Sequence, residues 1–153
     1  MRKQIQIITT DPFSATNVLK RAKSLLVGPR QSSKSTILRH MTKSNLNSFI
    51  IVATRDQHDK CIGSGIKESQ IILELKDIQN KRCDHLFIDD IENCMFILNS
   101  LPPHISENIR VASTSYLDFD WLSNSGHPYI FAFDQIVILN YFFIFSSNPQ
   151  EAA

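Results

Sequence analysis

The sequence predicts a three-layer α/β domain, in which a mainly parallel β-sheet carries helices on both faces. Short apolar runs of strand length alternate with segments whose apolar residues recur at helical spacing, a pattern typical of parallel sheets with helical crossovers. The run from Phe49 to Ala53 is apolar throughout, as expected of a strand covered on both faces. A chain of 153 residues with 42% hydrophobic side chains is long enough to bury a core.

Strand-like and helix-like segments alternate along the chain. Apolar runs predict strands at residues 4–9, 24–27, 49–53, 86–88 and 109–112, and from Tyr129 onward. Helical spacing and end signals predict helices from Asp11, as N-cap, to about Lys23, and over residues 34–44, 66–80 and 92–101. The segment after the third strand is polar and contains Gly63 and Gly65, which predicts a loop. We expect the strands around Val27, Ile51, Ile88 and Val111 to lie side by side.

The domain organisation follows from the length and from the order of these elements. We expect one domain over residues 1–153, with a core over 24–146 and a strand–helix extension over 1–23. The apolar stretch 129–146 suggests a membrane segment at first, but it contains Asp134, Gln135 and Asn140. Because such side chains are poorly tolerated in hydrocarbon, we expect core strands there and no membrane span.

Charge and cysteine content exclude several classes of protein. The formal net charge is +1, so any contact with DNA or RNA must come from a local basic patch. Three cysteines without framework spacing argue against a disulfide scaffold. The first residues lack the shape of a signal peptide. We therefore expect a cytoplasmic protein, or one of the host cytoplasm or the virion if it is viral.

A segment between a predicted strand and a predicted helix has the pattern of a phosphate-binding loop, G-x-x-x-x-G-K-[ST]. In such loops backbone N–H groups surround the phosphates, the lysine reaches the outer phosphates and the hydroxyl binds Mg²⁺. Gly28 takes the first glycine position, Lys34 the lysine position and Ser35 the hydroxyl position. The predicted ATP-binding residues are Gly28, Arg30, Gln31, Ser32, Ser33, Lys34, Ser35 and Thr36.

One position departs from this pattern. Ser33 stands where the second glycine is expected. A Cβ at that position restricts the backbone and crowds the approach of the phosphate, which predicts weakened phosphate binding. The alternative is a strand–loop–helix turn that only resembles a phosphate loop.

Two carboxylates end a later strand. The run from Leu86 to Ile88 is followed by Asp89 and Asp90, at the edge where ligands bind in parallel sheets. We predict that Asp89, with Ser35, holds Mg²⁺ and that Asp90 aligns the attacking water. The alternative for Asp90 is a cap on the next helix.

A third strand ends in hydroxyl side chains. Ile109 to Ala112 leads into Ser113, Thr114 and Ser115. In many ATPases a strand between the phosphate-loop strand and the acidic strand ends in a polar sensor of the γ-phosphate. Thr114 or Ser115 has that role in our prediction, and a Ser/Thr-rich turn is the alternative.

These residues resemble the additional-strand P-loop ATPases, a group that includes AAA-type ATPases, helicases and viral packaging motors. The likeness covers roughly residues 24–115 and rests on GPRQSSKST, FIIVATR, HLFIDD and RVASTS. The Gly-Pro-Arg-Gln opening of the loop is similar to that of a family of microbial AAA-type ATPases. The Asp-Asp end of the acidic strand is similar to that of viral packaging ATPases, and the run VATR resembles the corresponding strand end of helicases and terminases. The subgroup stays open, and the missing Gly-Asp-x-x-Gln argues against an autonomous helicase.

The resemblance implies a three-layer P-loop fold and Mg²⁺-dependent ATP hydrolysis coupled to nucleic-acid movement or remodelling, in a homo-oligomer or with a partner subunit. Lys34, Asp90 and Thr114 would carry the catalysis. The alternatives are a catalytically weak nucleotide-binding or structural subunit with a degenerate Walker A loop, and a fragment of a larger protein. Arg55 is either a phosphate or nucleic-acid contact or a solvated loop residue. A zinc site is disfavoured by irregular spacing of its possible ligands, which are His58, Cys61, Cys83 and His85.

Overall fold

The centre of the molecule is a parallel sheet to which seven described strands contribute. The computed structural model describes residues 4–30, 32–78, 82–115, 118–120, 124 and 132–139. The strands are β1 Gln6–Thr10, β2 Ser24–Val27, β3 Ser48–Ile51, β4 Ile71–Ile72, β5 His85–Ile88, β6 Ile109–Thr114 and β7 Gln135–Leu139. Their spatial order is β1-β7-β2-β6-β5-β3-β4, and each neighbouring pair is parallel.

Strand β6 lies between β2 and β5, although β5 precedes it in the chain. Ala112 on β6 stands opposite Leu25 of β2 on one side and opposite Ile88 of β5 on the other. Because parallel strands end at the same edge, this order brings the phosphate-loop strand, the hydroxyl strand and the acidic strand together at one rim. The predicted adjacency of the four central strands is confirmed.

Helices cover both faces of the sheet, which confirms the three-layer α/β prediction. On one face Leu19, Leu38 and Cys61 pack from three helices into a buried apolar cluster. On the other face Ile97 and Ile105 pack from two shorter helices into a second cluster. The described helices are α1 Ala15–Leu19, α2 Lys34–Ser44, α3 Arg55–Gly63, α4 Met95–Leu98 and α5 Pro103–Ser106.

The polar loop predicted after β3 is wrong, because α3 occupies that segment. The Thr54 hydroxyl accepts the N–H of Gln57 at 3.2 Å, and Gln57 Oε1 accepts the N–H of Thr54 at 3.1 Å. This reciprocal pair is a capping box, and its T-x-x-Q signature stood in the sequence. Gly63 is the last residue of the helix.

The long helix predicted over residues 66–80 is also wrong. Ile71 and Ile72 form the edge strand β4 instead, because β3 offers their backbone groups a parallel partner. The Asp77 carboxylate accepts the N–H groups of Leu73 at 3.0 Å and Glu74 at 2.9 Å, which bends the chain after β4. Tertiary pairing therefore overrides the helical spacing of the apolar residues. Two short 3₁₀ turns flank β4, at Glu68–Gln70 and Leu75–Ile78.

Two other predicted helices are shorter than expected. Helix α1 starts after Ser14 and does not reach Lys23. Asp11 is not its N-cap, because the Asp11 carboxylate accepts the N–H of Ser14 at 2.8 Å and forms a turn before the helix. The helix predicted over 92–101 is divided into a 3₁₀ turn and the single-turn helix α4.

The last predicted strand, from Tyr129, appears as β7 at Gln135–Leu139. Residues 140–146 lie outside the described part of the chain. Gln135 itself is buried and donates to the carbonyl of Val18 at 2.9 Å and to the hydroxyl of Ser24 at 2.7 Å. Among the described residues, no helix has both the length and the apolar content to span a bilayer.

Leu26→Ala should lower the free energy of unfolding by about 2–5 kcal/mol. Leu26 is 0% exposed in β2, between β6 and β7, so the truncation leaves a cavity in the core. Leu46→Ala is the matched control, because Leu46 is 85% exposed, and it should change stability by less than about 0.5 kcal/mol. Urea unfolding of both variants tests this, and equal effects would contradict the described core.

Candidate functional site

An open cleft of about 830 Å³ lies at the rim where β2, β5 and β6 end. The loop after β2 forms one wall, the segment after β5 forms another, and the start of α3 closes a third side. Both signs of charge face the cleft. The lining residues are Arg30, Ser32, Ser33, Lys34, Ser35, Thr36, Arg39, Thr54, Asp56, Gln57, Lys60, Asp89, Asp90, Glu92, Asn93, Ser115 and Asp118.

The loop between β2 and α2 wraps around the ammonium group of Lys34. Lys34 Nζ donates to the carbonyl oxygens of Gly28 and Pro29, both at 2.7 Å, and to the Ser32 hydroxyl at 3.0 Å. An ammonium has three protons, so these contacts engage its full donor capacity. A Cβ on Gly28 would lie 2.8 Å from Ser32 Oγ, so a larger residue there would displace the Ser32 side chain from its contact with Lys34.

Ser33 takes up a backbone conformation that favours glycine. Its φ is 65° and its ψ is 7°, in the left-handed region. This residue is the N-cap of α2, yet its side chain makes no capping hydrogen bond. Ser33 and the first three residues of α2 line the cleft, so the positive end of the helix dipole lies at the cleft, as in sites that bind anions.

The Asp89 carboxylate joins three elements of the site. Its Oδ1 accepts the Ser35 hydroxyl of α2 at 2.9 Å and the Ser113 hydroxyl of β6 at 3.1 Å. Asp89 is buried at the end of β5. The two residues predicted to hold Mg²⁺, Ser35 and Asp89, are thus in direct hydrogen-bond contact.

Asp90 is held in place from two sides. Its N–H donates to Ser113 Oγ at 2.9 Å, and its Oδ2 accepts Gln57 Nε2 at 3.0 Å. Its φ of 56° is again left-handed. The side chain makes no capping hydrogen bond to the 3₁₀ turn that follows, so the alternative role as a helix cap is not observed.

Two hydroxyl–carboxylate pairs extend the site along β6. Thr114 Oγ1 donates to Glu92 Oε2 at 3.0 Å, and Ser115 Oγ donates to Asp118 Oδ2 at 2.5 Å. Thr114 is 0% exposed and lies behind Glu92, whereas Glu92, Ser115 and Asp118 line the cleft.

The family model described as an AAA domain matches residues 20–130, which is more than half of the chain. The chain belongs to the AAA domain family. It is accordingly an AAA-like P-loop ATPase domain, and nucleotide binding is the activity that the family brings with it. No curated protein matches the chain in sequence.

Burial shifts the pKa of several groups in the cleft of this AAA domain. Burial lowers the pKa of Lys34, while the nearby carboxylates, Asp90 foremost, oppose that shift. Burial and the neighbouring charge of Asp90 raise the pKa of Asp89, against the hydrogen bonds from Ser35 and Ser113. Burial likewise raises the pKa of Glu92 to about 7. Asp89 and Glu92 therefore favour their protonated forms more than free carboxylates do.

The AAA domain places most of the predicted site residues on this one cleft. Two do not line it: Gly28, which directly follows β2, and Thr114, which is buried and contacts Glu92. Gln31 is outside the described residues. The lining residues from the prediction are Arg30, Ser32, Ser33, Lys34, Ser35, Thr36, Asp89 and Asp90.

Gln57, Glu92 and Asp118 are among the polar cleft residues that the sequence did not indicate as site residues. The capping-box signature could have located Gln57 at the start of a helix. Nothing in the local sequence distinguishes Glu92 or Asp118 from surface carboxylates, because only the tertiary structure brings them to the cleft.

The disfavoured zinc ligands do not form a site in the described part of the chain. Cys61 and Cys83 are buried in the two different apolar clusters. His58 Nδ1 lies 3.1 Å from the carboxylate of Asp59. Among the residues that the structure describes, no three His, Cys, Asp or Glu side chains are grouped to hold a metal ion.

Ser33→Gly should stabilise the AAA domain by a few tenths to about 1 kcal/mol. The left-handed conformation costs a non-glycine residue roughly 1–2 kcal/mol, and glycine removes this cost. The greater entropy of glycine in the unfolded chain opposes the gain by about 0.4–1 kcal/mol. Ser64→Gly is the matched control, because Ser64 has an ordinary φ of −85°. It should destabilise. Chemical unfolding of both variants is the measurement, and a destabilised Ser33→Gly variant would argue against the left-handed loop.

Glu92 should make the stability of the AAA domain depend on pH. Its pKa is raised from 4.5 to about 7, so the folded state binds the proton more tightly than the unfolded state. The corresponding stability is present below the unfolded pKa and is lost as pH rises through about 7. Relative to the parent, Glu92→Gln should therefore gain stability between about pH 5 and about pH 8. Unfolding curves across this range test it, and a constant difference between the two proteins would contradict it.

Proposed function

We propose that this AAA domain binds Mg-ATP in the cleft and hydrolyses the bond between its β- and γ-phosphates. The observation that carries the proposal is the 2.9 Å contact between Ser35 Oγ and Asp89 Oδ1. This contact joins the start of α2, which suits the binding of phosphates, to the acidic segment after β5, which suits the binding of a cation. Phosphoryl transfer depends mainly on positioning and electrostatic stabilisation, and a site that holds both groups together supports that chemistry.

Phosphate binding is assigned to the loop and to the first turn of α2. The N–H groups there would receive phosphate oxygens, as helix N-termini do in other phosphate sites. Lys34 would exchange its contacts with Gly28, Pro29 and Ser32 for contacts with the outer phosphates. Its ammonium would then neutralise charge that develops during transfer. We assign the remaining contacts with the phosphates to the other ATP-binding residues predicted from the sequence, which include Gln31.

The Mg²⁺ role rests on the oxygen atoms of Ser35 and Asp89. A hydroxyl and a carboxylate are hard oxygen ligands of the kind that Mg²⁺ takes, together with substrate phosphates and water. Both residues line the cleft beside the phosphate loop, so the donor set fits the ion. Held by these two residues, Mg²⁺ would supply positive charge that offsets the charge of the phosphates.

We assign the alignment of the attacking water to the carboxylates that follow β5. Asp90 is clamped by Gln57 Nε2 at 3.0 Å, so its carboxylate keeps one orientation in which it could align a water. Thr114, predicted as a γ-phosphate sensor, is buried. Its proposed role is therefore indirect, through the Glu92 side chain that it contacts.

The proposal extends to what hydrolysis would drive. The resemblance to packaging motors and helicases points to DNA or RNA as substrate and to a homo-oligomer or partner subunit. Arg55 is exposed at the start of α3, between the cleft residues Thr54 and Asp56, where it could contact a phosphate backbone. Turnover measured with and without DNA or RNA tests this extension, and an unchanged rate would remove nucleic acid from the proposal.

A non-hydrolysing nucleotide-binding or structural subunit is the second candidate. It is favoured by Ser33 at the glycine position and by Lys34, whose three donor contacts all go to its own loop. In such a subunit the loop would keep this conformation, and Lys34 would keep its contacts with the loop and would not bind a phosphate.

Lys34→Ala should weaken Mg-ATP binding by at least about tenfold, because a hydrogen bond to a charged group contributes about 1.5–3 kcal/mol. Lys43→Ala is the matched control, because Lys43 is an exposed lysine in the last turn of the same helix. It should leave the affinity unchanged. Calorimetric titration of the parent and both variants at one salt concentration gives the dissociation constants.

Equal affinity of the parent and Lys34→Ala would remove Lys34 from phosphate binding. Binding by the parent without any phosphate release would favour the non-hydrolysing subunit. Absence of binding in all three proteins would favour a structural role.

A further inference from the structure

The cleft holds a carboxylate that the proposed mechanism has not used directly. Glu92 belongs to the 3₁₀ turn Ile91–Asn93 that directly follows Asp90, and its side chain is partly exposed in the cleft. Its Oε2 accepts the hydroxyl of buried Thr114 at 3.0 Å. A half-buried carboxylate that is oriented by a buried hydroxyl is preorganised, as catalytic groups are.

The two neighbouring carboxylates differ in what holds them. Asp90 is fixed by Gln57 from α3, on the β3 side of the cleft. Glu92 is fixed by Thr114 from β6, which lies between β5 and the phosphate-loop strand β2. The carboxylate of Glu92 is therefore held by β6, next to the phosphate-loop strand, whereas the carboxylate of Asp90 is held by α3. The Asp90 backbone also contacts β6, through Ser113.

We propose that Glu92 is a further catalytic residue, which accepts the proton of the attacking water, and that Thr114 is its positioning residue. This inference rests on the proposed ATP hydrolysis. Asp90 then aligns the water and Glu92 takes the proton.

The step balances without a further reactant. The water oxygen forms a bond to the γ-phosphorus, and the bond from that phosphorus to the β–γ bridging oxygen breaks. The bridging oxygen leaves with the electron pair as part of ADP. One proton of the water moves to the Glu92 carboxylate and is later released to solvent, leaving inorganic phosphate.

The surroundings of Glu92 suit a general base. Burial is the largest cause of its raised pKa of about 7, the carboxylates of Asp90 and Asp118 raise it further, and the Thr114 hydroxyl lowers it. The charge of Glu92 in turn acts on the Lys34 ammonium, whose pKa it raises against the effect of burial. General bases work best when their pKa lies near the working pH.

The test compares two variants that each remove one negative charge from the same cleft. Glu92→Gln should lower kcat for Mg-ATP by roughly 10²- to 10⁴-fold, with the Kd for Mg-ATP within about threefold of the parent. Asp118→Asn is the matched control, because Asp118 also lines the cleft and also accepts a hydroxyl, that of Ser115 directly after β6, at 2.5 Å. It should lower kcat by less than about tenfold.

Thr114→Val tests the positioning role through the pH profile of kcat. The parent profile should rise through about pH 7 as Glu92 loses its proton. Valine has nearly the same shape but no hydroxyl, so the pKa of Glu92 should rise and the inflection should move to higher pH. Thr114→Ser keeps the hydroxyl and should restore the parent profile.

The outcomes separate this inference from the function on which it rests. A parent that hydrolyses ATP, with Glu92→Gln equally active or Asp118→Asn equally impaired, overturns the role of Glu92 and leaves the ATPase proposal standing. An unmoved inflection in folded Thr114→Val overturns the positioning role. A parent that does not hydrolyse ATP overturns both proposals. A selective loss of kcat in Glu92→Gln, with the shifted profile in Thr114→Val, supports the inference.

Discussion

The buried carboxylate of Asp89 is the point on which the arrangement of the cleft depends. Its Oδ1 accepts hydroxyls from α2 and from β6, and Asp89 itself directly follows β5. Burying a carboxylate costs free energy unless hydrogen bonds compensate for the lost water. The hydrogen bonds to Asp89 therefore hold the hydroxyls of Ser35 and Ser113 in position. Ser113 in turn accepts the N–H of Asp90. The phosphate loop, the acidic segment and the central strand are thereby fixed relative to one another.

Backbone strain is concentrated at this same rim. The described non-glycine residues with positive φ are Ser33, Asn47 and Asp90, and both Ser33 and Asp90 line the cleft. Each left-handed residue costs free energy that the surrounding contacts must offset. Ser33 keeps a backbone conformation that suits glycine, and Asp90 combines its left-handed backbone with the hydrogen bond from Gln57. Both features direct functional groups into the cleft at the expense of stability.

Local sequence predicted the elements that dominate the centre of the sheet. The bounds of β2 and α2 agree with the expected residues 24–27 and 34–44, because a short apolar run, a glycine turn and an amphipathic helix are each decided by near neighbours. The prediction was wrong over residues 66–80, where β4 pairs with β3 across a long separation in sequence. It also missed α3, although Thr54 and Gln57 carried a capping signal.

By itself the sequence determined the α/β class, the loop around Lys34 and the two carboxylates after β5, because residue type, spacing and periodicity are local properties. Only the tertiary structure decided which polar groups meet. The order β2-β6-β5 sets Ser35 against Asp89 and Thr114 against Glu92. It also buries Thr114, which local sequence could not indicate. The physical reason is that parallel pairing fixes which strand ends are neighbours, and this depends on contacts between residues far apart in the chain.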